Sequence, residues 1–335
     1  MTEPTPTSFT ILTGFLGAGK TTLLRHLLSA QHDQKLAIIV NELGEIGIDG
    51  LLVLDDVPDR ILEMNNGCIC CEVREDLVTA IMQLFDARQR GTIEFDHIVM
   101  ETTGVARPAP IVETLHSPAL KKLLRLNGII TVVDAFHITS QLNEFSEAQE
   151  QIGVADYVLL NKSDLQELDA LDQIEQRITK MNQYAMIQRS NQCQVETKTL
   201  FDLSNKVIRG IDTNFKISFT PLQGSAIDLK AGATHLAHIQ SLSIEINKPL
   251  QQELLLDWFS FLIMRYEERL LRFKGILDFK GQDQRTVFQG IHSLFEAKAD
   301  RAWHKDEQRL SRFVFIGRDL PEDDIRSGIN ACIAP

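Results

Sequence analysis

The chain has 335 residues, 44% hydrophobic and 24% charged, which is the composition of an ordinary globular protein long enough for two cores. Its 34 Lys and Arg against 46 Asp and Glu leave a net charge of −12, with no basic run, so nucleic acid and anionic membrane are excluded as expected partners. The opening MTEPTPTSFTIL carries an acid and prolines where a signal peptide needs basic residues and an apolar core, and a cytoplasmic location is expected.

The first strand expected, Phe9 to Thr13, runs into TGFLGAGKTTLL and a helix from Lys20 to Ala30. Gly14, Gly19, Lys20 and Thr21 have the spacing of a phosphate-binding loop, in the strand-to-helix setting that such a loop requires. Glycines let backbone N–H groups curl around phosphates, and the helix start adds positive potential. Gly14, Gly17, Ala18, Gly19, Lys20, Thr21 and Thr22 are therefore expected to hold a nucleotide. Lys20 would reach the β and γ phosphates as a catalytic group, and Thr21 would place its hydroxyl on magnesium.

A second strand, Leu36 to Val40, precedes VNELGEIGID, which supplies Glu42, Glu45 and Asp49 among glycines. Such a segment suits a nucleotide-sensing switch, with Glu45 the best candidate for a transition-metal ligand and Glu42 and Asp49 candidate magnesium or switch acids. Solvated loop acids are the plainer reading for each one alone. Then comes NNGCICC, with three of the five cysteines. On a turn running into the helix expected from Glu72 to Arg88, Cys68, Cys70 and Cys71 can converge, and three thiolates favour zinc or another soft, late divalent ion. A redox pair of Cys68 and Cys71, or buried thiols packed as small apolar groups, are the alternatives.

A third strand, His97 to Glu101, ends in an acid and leads to Gly104. Glu101 stands where nucleotide hydrolases keep an acid for magnesium or its waters, and Gly104 can offer an N–H to a γ phosphate. A strand-capping carboxylate is the bland reading. Helices are expected at His116 to Leu126, Gln141 to Gln151 and Asp169 to Gln183, with strands at Gly128 to Val133 and Tyr157 to Asn161. The last strand delivers Asn161, Lys162 and Asp164 of an NKSD tetrad, which suits guanine: Asp164 can accept from N1–H and the exocyclic amine, Asn161 can meet the N7 and O6 edge, and the Lys162 stem can lie along the ring.

Most of these strands are continuously apolar, as strands buried on both faces of a parallel sheet are. The fold class expected is α/β, a doubly wound and mostly parallel sheet of the P-loop GTPase kind, with a second, smaller α+β domain. The rhythm changes after about residue 205, giving domains at 1–215 and 236–335 and a linker at 216–235. The second domain reads as strand Ile239 to Ile246, helix Pro249 to Tyr266, three strands at GILDFKG, TVFQGIHS and RFVFIG, and a helix in LPEDDIRSGINAC.

TGFLGAGKTTLL, NELGEIGID, NNGCICC, METTGVARP and NKSD, in this order, closely resemble the CobW-type metallochaperone GTPases, relatives of the nickel-delivery GTPases of urease and hydrogenase maturation. The resemblance continues through LLRFKGIL and VFQGIHSL and is close to the YjiA-like branch. It implies a GTP-hydrolysing protein, with GTP or GDP, Mg2+ and Zn2+ (Co2+ and Ni2+ being further candidates) as bound groups. It further implies a metalloprotein client and a second copy of the chain as candidate partners. By position, Cys68, Cys70 and Cys71 match the family's metal motif and Asn161 to Asp164 its guanine tetrad. Val40 stands where relatives often carry glycine or an acid, and the long histidine-rich stretch of many members is absent, leaving His235 and His238. No residue offers itself as a water-positioning base or arginine finger, so slow turnover is expected. The competing class is a regulatory GTPase whose cysteines hold a purely structural zinc. An ATP-using kinase fits the NKSD tetrad poorly.

Overall fold

A computed structural model of the chain describes residues 6–30, 34–42, 61–65, 72–203 and 238–335. Cys68, Cys70, Cys71, Glu45, Asp49 and the expected linker at 216–235 lie outside the described residues, and Glu42 is described by its backbone alone.

Seven parallel strands form the first sheet: β1 (Thr7–Thr13), β2 (Leu36–Glu42), β3 (Ile61–Asn65), β4 (His97–Glu101), β5 (Leu124–Asp134), β6 (Tyr157–Asn161) and β7 (Met186–Arg189). Their spatial order is β3-β2-β4-β1-β5-β6-β7. β4 and β6 are buried along their whole length, as expected for strands covered on both faces. On one face, α1 (Lys20–Ser29) sets Leu23, Leu24 and Leu27 against Ile38, Val99 and Val132. The other face is covered by α2 (Glu72–Gln89), α3 (Ala109–Leu115), α4 (Ile138–Glu144), α5 (Ser146–Gly153) and α6 (Leu168–Met181). A short α7 (Thr197–Phe201) follows β7. β1 lies between β4 and β5, where the connections run off in opposite directions, and this switch point is where open α/β sheets hold ligands.

Two expected helices are corrected. Residues 117–123 form successive turns, and the chain is a strand from Leu124, because Leu124–Leu126 pair with Thr7–Phe9; the helix lies earlier, at α3. The apolar spacing that suggested a helix is met by turns burying Leu120 while Lys121 and Lys122 face water. Gln141 to Gln151 is two helices, broken at Phe145, whose extended backbone sets its ring 4.7 Å from that of Phe15 in the glycine loop.

The second sheet is antiparallel, ordered β11-β10-β9-β12-β8. It comprises β8 (Ile239–Ile246), β9 (Leu270–Leu277), β10 (Gln284–Ile291), β11 (Leu294–Ala302) and β12 (Ser311–Arg318), with helices α8 (Gln252–Tyr266) and α9 (Glu322–Ala331). It has one strand more than expected, since β11, LFEAKADRA, is a mostly exposed edge strand whose charges hide its register. Phe259 of α8 is ringed by Phe273, Phe288, Phe313 and Phe315. The opposite face sends Leu271, Ile291, Val314 and Ile316 into the same core as Ile152, Val154 and Ala155 of the first domain. Along β12 this is period-two alternation, Phe313 and Phe315 toward α8, Val314 and Ile316 toward the parallel sheet.

Candidate functional site: a phosphate loop and a guanine tetrad

Residues 14–19 connect β1 to α1 above the switch point. Gly19, immediately before the helix, has φ +108°, and a Cβ there would lie 2.5 Å from Asn161 Nδ2, so only glycine fits. Lys20 is buried, and its ammonium donates to Gly14 O at 3.0 Å, holding the charge over the loop. The Thr21 hydroxyl donates to Glu101 Oε1 at 3.0 Å. Glu101 is brought there by register: it pairs with Leu12 on β1 and Val40 on β2, so it ends β4 beside the first turn of α1. A hydroxyl and a carboxylate at this distance are the oxygen ligands that magnesium prefers.

Past Glu101 the chain bends under the loop. Thr102 N–H donates to Leu12 O at 2.9 Å and its hydroxyl to Thr13 Oγ1 at 2.9 Å. Gly104 passes so close to Leu16 that a Cβ would meet the Leu16 backbone nitrogen at 2.7 Å. This brings the backbone of the 102–107 loop against the side of the phosphate loop.

The tetrad sits one strand further over. Asn161 Nδ2 donates to Ala18 O at 3.0 Å, and its Oδ1 accepts the Cys193 N–H at 2.9 Å. The amide group carries a second hydrogen, which the bond to Ala18 O does not use. The Lys162 ammonium donates to Gly17 O at 2.8 Å and to Asp134 Oδ2 at 2.7 Å, stretching the side chain between tetrad and phosphate loop. Asp164 is exposed, and its backbone N–H donates to Asn191 Oδ1 at 3.0 Å.

Two participants escaped the sequence reading. Asp134 ends β5; burial alone would raise its carboxyl, but Lys162, His137 and the Phe136 N–H together hold it below the usual carboxylate range. The signal was present, since Asp134 is an acid at the carboxyl end of an apolar strand, as Glu101 is. Cys193 is the second: its Sγ donates to Gly19 O at 3.3 Å, its φ is +57°, and burial pushes the thiol up to about 12. At neutral pH it is a thiol bracing the loop from below.

A cleft of about 650 Å3 lies at the opposite, amino-terminal edge of the parallel sheet, between the two sheets, lined by Lys121, Arg125, Asp156, Arg272 and Lys298. Nucleotides bind open α/β sheets at the carboxyl ends of the strands, the edge that carries the glycine loop, and this cleft lies at the other. Among the described residues no group of three or more His, Cys, Asp or Glu could hold a metal ion, and no helix is long and apolar enough to cross a membrane.

A phosphate loop at the switch point, an acid on its threonine and an Asn-Lys-x-Asp turn beside it define a P-loop GTPase fold. Residues 8–189 match the CobW/HypB/UreG nucleotide-binding domain, and residues 239–333 match the cobalamin synthesis protein cobW C-terminal domain. The chain belongs to the CobW/HypB/UreG family. It is 36% identical over 96% of its length to the zinc chaperone YjiA of Escherichia coli, 97% of which is covered. It is 30% identical over 97% of its length to the zinc chaperone CobW of Pseudomonas aeruginosa, 91% of which is covered. The crystal structure of Zn(II)-bound YjiA GTPase from E. coli superposes with a TM-score of 0.72 at 31% identity, covering 99% of this chain and 100% of that one.

Proposed function

We propose that this protein is a GTP-hydrolysing metallochaperone that binds zinc through Cys68, Cys70 and Cys71, with Glu45 as a further ligand, and couples nucleotide state to transfer of the metal to a client. In this reading Gly14 to Thr22 hold the phosphates, Thr21 and Glu101 hold magnesium, Gly104 meets the γ phosphate, and Asn161, Lys162 and Asp164 hold guanine. Glu42 and Asp49 belong to the switch. Bound magnesium supplies charge neutralisation at the phosphates. The chain works as two domains, 1–215 and 236–335, joined at 216–235.

The observation that carries the coupling is a register. β2 and β3 end together, Glu42 opposite Asn65, beside the β4 end that holds Glu101 on Thr21. The acidic segment and the cysteine segment therefore leave the sheet from neighbouring strands on its nucleotide-binding edge. The names of the relatives support zinc over cobalt or nickel. Linkage then demands reciprocity: if GTP tightens zinc binding, zinc tightens GTP by the same factor.

The test is zinc affinity by competition with a chromophoric chelator, in apo protein, with magnesium GDP and with a magnesium-bound non-hydrolysable GTP analogue. A shift of tenfold or more between GDP and analogue, about 1.4 kcal/mol, is expected. Equal affinity in all three states would sink the delivery reading in favour of a structural zinc.

A further inference from the structure

α5 is an unusual helix: Gln149, Glu150 and Gln151 are successive polar residues, each at most 2% exposed. Buried polar side chains persist where they are hydrogen-bonded, so their partners say what the helix is for. The Gln151 amide donates to Gly104 O at 3.2 Å and to Ala106 O at 2.9 Å, both in the loop that follows Glu101. Its backbone carbonyl accepts from Thr131 Oγ1 of β5 at 2.7 Å, so the helix is pinned to the sheet as well. Glu150 faces the other way. Its carboxylate receives Arg318 of β12 at 3.1 Å and lies 3.9 Å from His292 Nε2, both in the second domain. Arg107, on the 102–107 loop, reaches the same oxygen of Glu150 at 3.6 Å and Glu147 at 3.7 Å. Gly153, at the end of α5, packs against Leu271 and Ile239 so closely that a Cβ would stand 3.1 Å from Leu271 Cδ1. One helix therefore carries the phosphate-side loop on one residue and the second domain on the next.

We infer that Gln151 is a positioning residue for GTP hydrolysis, fixing the Gly104 backbone, and that Glu150 makes the second domain, through Arg318, part of that support. The inference rests on the reading that Gly104 meets the γ phosphate. The two clamped carbonyls lie in the 104–105 and 106–107 peptide planes, and the Ala106 N–H donates to Thr103 O at 3.1 Å, in the plane that carries the Gly104 N–H, so holding this turn limits the direction of that N–H. Arg318 and Arg107 share one carboxylate oxygen, so displacement of the second domain removes Arg318 from Glu150, loosens that side chain and with it one anchor of Arg107 on the loop, without touching the nucleotide.

The experiment is single-turnover and steady-state GTP hydrolysis by the full chain, alongside GDP affinity and thermal unfolding. Gln151→Met keeps the side chain's length and loses the donor; it is expected to lower kcat about five- to tenfold, some 1–1.4 kcal/mol, with GDP affinity unchanged within twofold. Arg318→Met, remote from the nucleotide, is expected to lower kcat in the same sense, and the double variant to be no worse than Gln151→Met alone. Gln151→Asn, which keeps the donor on a shorter arm, should recover part of the rate. Unchanged kcat in Arg318→Met, a multiplicative double variant, or parallel losses of GDP affinity and stability would each overturn the inference. Gly104→Ala separates the two levels. If it leaves the preference for a GTP analogue over GDP unaltered, the underlying reading of Gly104 is wrong; if it abolishes that preference while Gln151→Met is silent, only the positioning role fails.

Discussion

Replacing Asp156 by Asn tests what joins the two domains. Asp156, just before β6, is buried; its Oδ1 accepts from Lys274 at 2.7 Å and from the Arg272 guanidinium, and its Oδ2 accepts the Ile129 N–H at 2.9 Å. Asparagine keeps the shape and removes the charge, leaving two buried cations of β9 together. Among the described residues no other acid pairs with Arg272, whose Nη1 donates to Val154 O and whose Nε has no hydrogen-bond partner. Breaking a buried ion pair costs about 3–5 kcal/mol. Lysine sets a cap on its own share. Burial, and then Arg272, already push Lys274 down to about 8, and holding a lysine neutral at pH 7 costs at most about 5 kcal/mol. Part of that is already spent in the wild type, so Lys274 adds the smaller share of the loss and the guanidinium of Arg272 the larger.

The pH dependence has a definite sign. A lysine with a folded value below its unfolded value makes the unfolded state bind more protons between the two, so stability rises with pH across that window. In the wild type the window opens near 8; without Asp156 it opens lower, so the variant gains more stability than the wild type between pH 7 and 8. In acid the order reverses. The cations hold the Asp156 carboxyl below the usual range against its burial, so wild-type stability present above about pH 4 is lost as pH falls, a slope the variant lacks. Both tryptophans, Trp258 and Trp303, lie in the second domain, so urea unfolding followed by their fluorescence reports that domain, while release of a fluorescent GDP reports the first. The expected loss at pH 7 is about 3 kcal/mol, partly recovered by adding Lys274→Met. A loss under about 1 kcal/mol, or a gain between pH 7 and 8 no larger than the wild type's, refutes the reasoning.

The nucleotide site gives two further expectations. Gly19→Ala puts a methyl 2.5 Å from Asn161 Nδ2 at φ +108°, so it should disturb phosphate loop and tetrad together and weaken GDP at least tenfold by fluorescence titration; a change within twofold would show that the loop yields. Asp164→Asn exchanges an acceptor for a donor against the guanine amine and should cost about a hundredfold in GDP affinity while favouring xanthosine diphosphate, which has a carbonyl there. An unchanged preference between the two bases would remove Asp164 from the base site.

Most of the candidate site was legible in the sequence, because its geometry is made locally. A strand that ends in glycines and restarts as a helix must present its N–H groups to one spot, whatever surrounds it. Glu101 and the NKSD tetrad were legible for the same reason, each ending an apolar strand. The elements that escaped are those whose character depends on neighbours. β3 and β7 are short edge strands, β11 is a charged one, and the turns at 117–123 imitate a helix in apolar spacing. Cys193 looked like a stray cysteine until β7 carried its loop beneath Gly19.

By itself the sequence determined the glycine loop, the acid that ends β4, the Asn-Lys-x-Asp turn, the cysteine motif and the presence of two domains, since each depends on residue types within one strand and turn. Only the tertiary structure decided that Asp134 would brace Lys162, that Asp156 would hold two cations from β9, and that Glu150 and Gln151 would stand between the nucleotide loop and the second domain. A buried polar group must find its partner inside the fold, and these partners lie 28 to 168 residues away along the chain, where no local pattern records them.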